Sequence, residues 1–347
     1  MGETWEEHVF PWLGVLSALL LAVALLFTLL TLVLRWRHHR ADRVWRELEA
    51  RWERQLLEVL AGAGDAAALL GRVRPGEALR FLAYLSRYAR RVTGEETRIL
   101  RALARPHLPR LEAVYRRGAA EERARAVQTL GLLGMPDYAP LLRRALDDPS
   151  PLVSIIAARA LSGLHEPGDV SRVIERLHRY ALWHPAFLAG LLTDAGKGGE
   201  AVLRDALADD GRPSGERAVV AQALRNLRDP RAADAAAAVL ARAGDTDLTV
   251  ACLRLLAEVG EGRHRPAVLP LLDDPRFQVR AAAVAALGVV GGERDVSDAR
   301  AALDDPSSWV GLEAARALRA LDGDTVLPEI AREPGRRGVL ARQVLAE

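Results

Sequence analysis

The chain has 347 residues, 50% hydrophobic but only 5% aromatic, with a formal net charge of +2. That supplies a sizeable core but too few rings to build it on, so packing falls to Leu, Ala and Val, a composition that suits helices. Of the 48 basic residues only Lys197 is a lysine, and the arginines spread evenly through an Ala, Leu and Gly background, so the pI of about 9.0 follows composition and nucleic acid is not an expected partner.

In chain order, residues 1–8 form a short acidic N-terminus, and residues 9–34 carry no charge. A helix rising about 1.5 Å per residue over that stretch exceeds a hydrocarbon core of roughly 30 Å, so 9–34 is expected to span a membrane. A cleaved signal peptide fits poorly, because Glu3, Glu6 and Glu7 stand where positive charge is needed and the apolar run is too long. Arg35, Arg37, His38, His39, Arg40 and Arg43 follow, which by the positive-inside rule places everything after the span in the cytoplasm and the N-terminus outside. Trp12, Arg35, Trp36, Arg37 and Arg40 are the expected membrane-interface residues, and the arginines could also draw anionic lipid headgroups.

Residues 35–62 make a basic juxtamembrane segment and an amphipathic stalk helix, with Trp45, Leu48, Trp52, Leu56 and Val59 on one face. That stripe either pairs with a second copy or a partner's helix, or docks on the next helices as a cap. Residues 63–106 read as a helical cap or degenerate repeat, opened by Pro75-Gly76 and carrying Leu79, Leu82, Leu85 and Tyr88 on its apolar side.

From residue 107 to 347 the pattern is periodic. Leu130, Leu161, Leu192, Leu224, Leu256, Leu287 and Leu318 recur every 31 or 32 residues, the signature of stacked helix pairs. Asp147-Asp148-Pro149, Asp273-Asp274-Pro275 and Asp304-Asp305-Pro306 mark turns, with Asp209-Asp210-Gly211 as a variant. The aspartate is expected to cap the next helix and the proline to sit in its first turn. Each Asp-Asp-Pro is followed by Val153, Val279 or Val310, then small residues and the ladder leucine. Cys252, the single cysteine, falls among apolar residues of a helix and reads as a small core residue.

The stretch Leu271-Leu-Asp-Asp-Pro-Arg-Phe-Gln-Val-Arg-Ala-Ala-Ala-Val-Ala-Ala-Leu287-Gly resembles the short bacterial, phycobilisome-lyase-like HEAT repeats. The resemblance covers about eight units over 107–347 and implies an all-α fold, an α-solenoid whose second helices line a concave surface. It also implies that an arginine after the valine pairs with the turn aspartate of a neighbouring unit. Arg280 matches, and Arg123 and Arg217 fall at the same offset from their leucines, whereas Ser154 and Gly311 depart from it, so the ladder is expected to break there.

The recurrent aspartate pairs do not read as acid/base catalysts, since a catalytic pair occurs once, in unlike environments. The eight histidines form no set with metal-ligand spacing, and no cofactor loop or small-molecule motif is evident. Deoxyhypusine hydroxylase, built from similar repeats, carries several iron-holding His-Glu pairs; this chain has only His165-Glu166 before Pro167. The unit of Leu192 stands apart, replacing the usual turn with Tyr180-Ala-Leu-Trp183-His184-Pro185-Ala-Phe187. Tyr180, Trp183, His184 and Phe187 are therefore candidate partner contacts, the rings otherwise filling the gap left by the changed turn. Arg123, Arg217 and Arg280 are candidates for an acidic partner. The expectation is a membrane-anchored scaffold without cofactor that presents a cytoplasmic surface to protein partners; the alternative is a membrane-associated enzyme or accessory of the lyase type.

Overall fold

The computed structural model describes residues 6–164, 166–196, 198–242, 244–322 and 325–347; the side chains of 6–18, 34, 37–44, 167 and 322 lie outside that description. Among the described residues there are twenty α-helices, several entered or left through short 3-10 turns, and no strand. The chain divides into two units, Met1–Pro106 and His107–Glu347.

The first unit contains α1 (Glu6–Leu60), α2 (Ala66–Gly71), α3 (Ala78–Tyr88) and α4 (Glu95–Ala104). α1 runs unbroken for 55 residues, joining the expected span to the expected stalk. No glycine or proline stands between Arg35 and Leu60, so nothing in the sequence interrupts the ladder of backbone hydrogen bonds. The expected span lies partly outside the described side chains, as do Trp12, Arg37 and Arg40. Residues 19–33 are described and expose apolar side chains on every side, Leu21 and Phe27 among them. Among the described residues no helix is long and apolar enough to cross a membrane.

Further along α1, Leu48, Trp52, Leu56 and Val59 are buried. Trp52 packs edge-on against Phe81 at 5.2 Å between ring centroids and against Tyr84 at 5.6 Å, both on α3. Arg87 of α3 pairs with Glu49 and lies over the Trp45 and Tyr84 rings. The stripe is thus covered within its own unit. α1 ends at Gly62, whose φ of 75° suits a residue without a Cβ, and Asp65 restarts the chain by accepting the Ala67 amide at 2.8 Å.

The second unit is a row of helix pairs: α5 (Leu108–Arg117) with α6 (Ala120–Leu133), α7 (Ala139–Ala145) with α8 (Pro151–Ser162), α9 (Pro167–Ile174) with α10 (Pro185–Ala195), and α11 (Glu200–Ala208) with α12 (Ser214–Leu227). The row continues with α13 (Ala232–Leu240) and α14 (Thr246–Val259), α15 (Arg265–Val268) and α16 (Phe277–Val290), α17 (Val296–Ala302) and α18 (Ser308–Asp322), and α19 (Val326–Ile330) and α20 (Arg336–Leu345). All seven ladder leucines sit on second helices and none is more than 1% exposed. Successive second helices approach closely: a Cβ on Gly131 of α6 would come within 2.4 Å of Ala160 on α8, and one on Gly288 of α16 within 3.0 Å of Ala317 on α18.

The Asp-Asp-Pro turns work differently from expectation. Each proline precedes its helix rather than entering the first turn, because the second aspartate folds the chain across it. Asp148 accepts the Ser150 amide at 2.9 Å, Asp274 that of Arg276 at 2.9 Å and Asp305 that of Ser307 at 2.7 Å. The carboxylate then faces the preceding unit. Arg123 forks onto Asp148 with bonds of 2.9 and 2.8 Å, and Arg280 onto Asp305 with 2.7 and 3.0 Å. A parallel set joins the first helices: Arg143 to Asp169 at 2.6 Å, Arg204 to Asp229 at 2.5 Å and Arg265 to Asp295 at 2.7 Å.

At some units where the ladder arginine is replaced, a guanidinium of the next unit comes in. At Ser154, Arg179 of the following unit reaches back to the Leu146 and Asp148 carbonyls and lies 3.3 Å from Ser154 Oγ. At Thr249, Arg276 reaches the Gly244 carbonyl at 2.9 Å while holding Asp274. At Gly311, Arg336 lies 3.6 Å from where a Cβ would stand. The arginine–aspartate pair is thus interrupted at Ser154 and Gly311 as expected, and at Ser154 a guanidinium of the next unit meets backbone carbonyls in its stead.

Trp52→Ala should cost about 3–5 kcal/mol, read as loss of hydrogen-exchange protection across residues 45–60 and α3 while the repeats stay protected; unchanged protection of both would contradict the docking. The ladder also sets an acid limit. Arg280 holds the Asp305 carboxyl, and Arg265 the Asp295 carboxyl, below the ordinary value of 3.8, against desolvation that opposes them. A depressed folded value gives stability that is present above the unfolded pKa and lost as pH falls through the folded one. Melting temperature should hold between pH 7 and pH 5 and then drop below about pH 4, the region where unfolded carboxylates protonate. Asp305→Asn should melt lower at pH 7 and show a shallower acid drop.

Candidate partner-binding groove

The second helices pack through their leucine side and leave an opposite face open. Three hollows run along that face. One, of about 500 Å³, lies between α12, α14, α16 and α18 and is walled by Arg225, Arg254, Ala281, Phe277 and Trp309. A second shares Arg225 and Arg254 and continues over Gln222 and Val250, and a third extends to Phe187, Thr193 and Arg159. Together they form a groove crossing six successive second helices, α8 to α18.

Small residues make the floor. Ala218, Ala251, Ala282 and Ala285 stand where longer side chains would fill the space. Large side chains rise at the edges: Phe187 is 39% exposed, Phe277 41% and Trp309 66%. Arg159, Arg225 and Arg254 have no ion pair or side-chain hydrogen bond among the described residues, unlike the ladder arginines. The groove also holds carboxylates. Glu258 is paired with Arg228 at 2.8 Å and Glu313 with Arg316 at 2.8 Å, while Asp247 lines the same hollow as Arg254.

The residues singled out from sequence divide between groove and frame. Arg123 and Arg280 are committed to Asp148 and Asp305. Arg217 is buried, donating to the Leu207 carbonyl at 2.9 Å and pairing with Asp210 at 2.9 Å. All three are thus engaged within the repeats. Tyr180 needs the same correction: it is fully buried, and its hydroxyl lies 2.7 Å from Ser154 Oγ, which in turn donates to the Leu146 carbonyl at 2.5 Å. Burial pushes its phenol pKa up. The serine that vacates the ladder and the tyrosine of the altered turn are thus one device, with Arg179 beside them.

Trp183 and Phe187 do come together at the surface, their rings stacked at 5.4 Å. His184 caps α10, its Nδ1 accepting the Ala186 amide at 3.2 Å, and Leu182 is wholly exposed. Of the candidate patch, Phe187 lines the groove and Trp183 supports it. Sequence reasoning missed Arg159, Arg225, Arg254, Phe277 and Trp309. A signal existed: Arg159 and Arg254 each stand two residues before a ladder leucine and Arg225 one after, positions that face away from the leucine seam.

Among the described residues no group of His, Cys, Asp and Glu could hold a metal ion, and His165 lies outside them. Cys252 is buried and its thiol is pushed up to about 12 by desolvation, as suits a small core side chain.

Tyr180→Ala should destabilise the repeats by about 3–5 kcal/mol and Tyr180→Phe by about 1–2 kcal/mol, read in denaturant melts. Trp183→Ala should cost far less. A Tyr180→Ala chain as stable as the parent would restore this residue to the surface patch.

Residues 108–181 and 234–319 match the model of the HEAT-repeat family. The interval between them, 182–233, holds Trp183, His184, Phe187 and Arg225. No curated protein sequence matches the chain. Among solved structures, human deoxyhypusine hydroxylase in complex with glycerol is 19% identical, over 71% of this chain and 98% of that one, with a TM-score of 0.31. An engineered protein is 18% identical over 83% and 90%, with a TM-score of 0.40. The complex of CpcE and CpcF of phycocyanin lyase from Nostoc is 16% identical over 81% and 92%, with a TM-score of 0.26. Over those two stretches the chain is similar to HEAT-repeat proteins.

Proposed function

We propose that this chain is a membrane-anchored scaffold or adaptor of the bacterial inner membrane, with the N-terminus outside and the repeats holding a protein partner on the cytoplasmic side. The observation that carries the scaffold reading is the groove: an open face with exposed rings and with arginines that have no ion pair among the described residues. The anchor rests on the uncharged run of 9–34, on the exposed apolar side chains of residues 19–33, and on the arginines that follow. A helix apolar on all sides has no face suited to water, and tethering raises the local concentration of whatever the groove holds without any chemistry. In this reading the protein is not an enzyme and needs no cofactor.

Two measurements test the reading. A periplasm-active reporter fused after Glu347 should be silent and a cytoplasm-active one bright; the reverse pattern overturns the orientation. A photo-crosslinking side chain at the exposed Gln278 should attach the full-length chain to other proteins in intact cells, and a blank there, with expression normal, would overturn the scaffold.

A further inference from the structure

Along the groove each second helix contributes one prominent side chain: Arg159 from α8, Phe187 from α10, Arg225 from α12, Arg254 from α14, Phe277 from α16 and Trp309 from α18. Guanidiniums without an ion pair among the described residues stand on α8, α12 and α14, and exposed rings on α10, α16 and α18, so that two rings lie together at the α18 end. An arginine left without a partner beside a hollow favours an anion, most strongly a planar carboxylate that it can fork.

We propose that the groove binds an extended acidic segment of a partner protein, its Asp and Glu side chains meeting Arg225 and Arg254 and its bulky apolar residues meeting Phe277 and Trp309. This rests on the scaffold reading and names the partner's chemistry. Neighbouring helix axes lie roughly 8–10 Å apart and an extended chain covers about 3.3 Å per residue, so crossing six helices takes roughly 14 residues.

Charge complementarity selects a peptide over a nucleic acid. Asp194, Asp247, Glu258 and Glu313 line the same groove, the two glutamates paired with Arg228 and Arg316, and a backbone bearing phosphate at every step would be driven against them. A peptide places its carboxylates singly, and can set them over the arginines while presenting neutral or apolar groups to the aspartates and glutamates. The small floor residues leave room for a chain to lie flat, and the rings at one end fix its direction.

The test uses the full-length chain in nanodiscs and a phage library of random peptides, each roughly 14 residues long to match the crossing. Retained peptides should be enriched in Asp and Glu by about threefold, with aromatic or aliphatic residues gathered at one end, and raising salt should release them. Arg225→Glu with Arg254→Glu should turn the preference toward Lys and Arg. Phe277→Ser with Trp309→Ser should erase the apolar end while leaving the acidic one. Both pairs are in the open groove, and circular dichroism melts check that the fold persists. Retained peptides without acidic bias, an acidic bias untouched by the charge reversal, or displacement of peptides by oligodeoxythymidylate overturns the proposal. Should that happen while Gln278 still crosslinks to proteins in cells, the scaffold stands and only the partner's chemistry falls; a blank in both removes both.

Discussion

No helix pair in this chain can bury its own apolar face, and the stacking of each pair on the next relieves that shortage. The ladder leucines close the seam on one side of the second helices, and glycines at Gly131 and Gly288 let the backbones come close enough to seal it. Stacking is non-directional and would tolerate sliding. The arginine–aspartate pairs remove that freedom, since a forked guanidinium accepts one register only, and because the aspartate is already fixed by its bond across the proline, the contact reports the turn's geometry to the neighbouring unit. These pairs are half-buried, so their worth lies less in net stability than in the penalty for leaving one partner without the other.

This explains which parts could be read in the sequence. A period of 31 or 32 residues and repeated Asp-Asp-Pro turns are one-dimensional signals, and the helix pairs, the leucine seam and the Arg123 and Arg280 contacts follow from them. The replacements at Ser154 and Thr249 do not, because the incoming guanidinium comes from Arg179 and Arg276, residues with no fixed place in the repeat. Tyr180 looked like a surface anchor because its turn is irregular; it is buried because the irregularity 26 residues earlier, at Ser154, left room for a ring and an acceptor for its hydroxyl. Two anomalies read separately are a single compensated change. The first-helix set, Arg143 to Asp169 and its equivalents, also escaped the reading, since its spacing varies with turn length.

The N-terminal helix shows the same limit from another side. Its two environments were visible as two compositions, an uncharged run and an amphipathic stripe, yet nothing in either dictates a break, and α1 is one helix. Periodicity resolved that the stripe needs a cover but not which cover. Trp52 against Phe81 and Tyr84 answers it locally, with the unit's own α3 as the partner. A stripe already occupied cannot also drive pairing between copies, which shifts the burden of recognition onto the repeats.

Charge is where composition misled most. With 47 arginines in the chain, a high pI says little, and discounting it as background holds for the many that are tied to aspartates and glutamates. The informative quantity is the remainder after pairing. Arg110, Arg117, Arg144, Arg231 and Arg332 likewise have no ion pair among the described residues, so what sets Arg225 and Arg254 apart is their place together at the meeting of two hollows. Folding does not use them. A side chain that stability does not use, placed on a face that stacking leaves open and flanked by rings that burial does not claim, is available for recognition, and the same accounting that assigns Arg123, Arg217 and Arg280 to the frame assigns these to the groove.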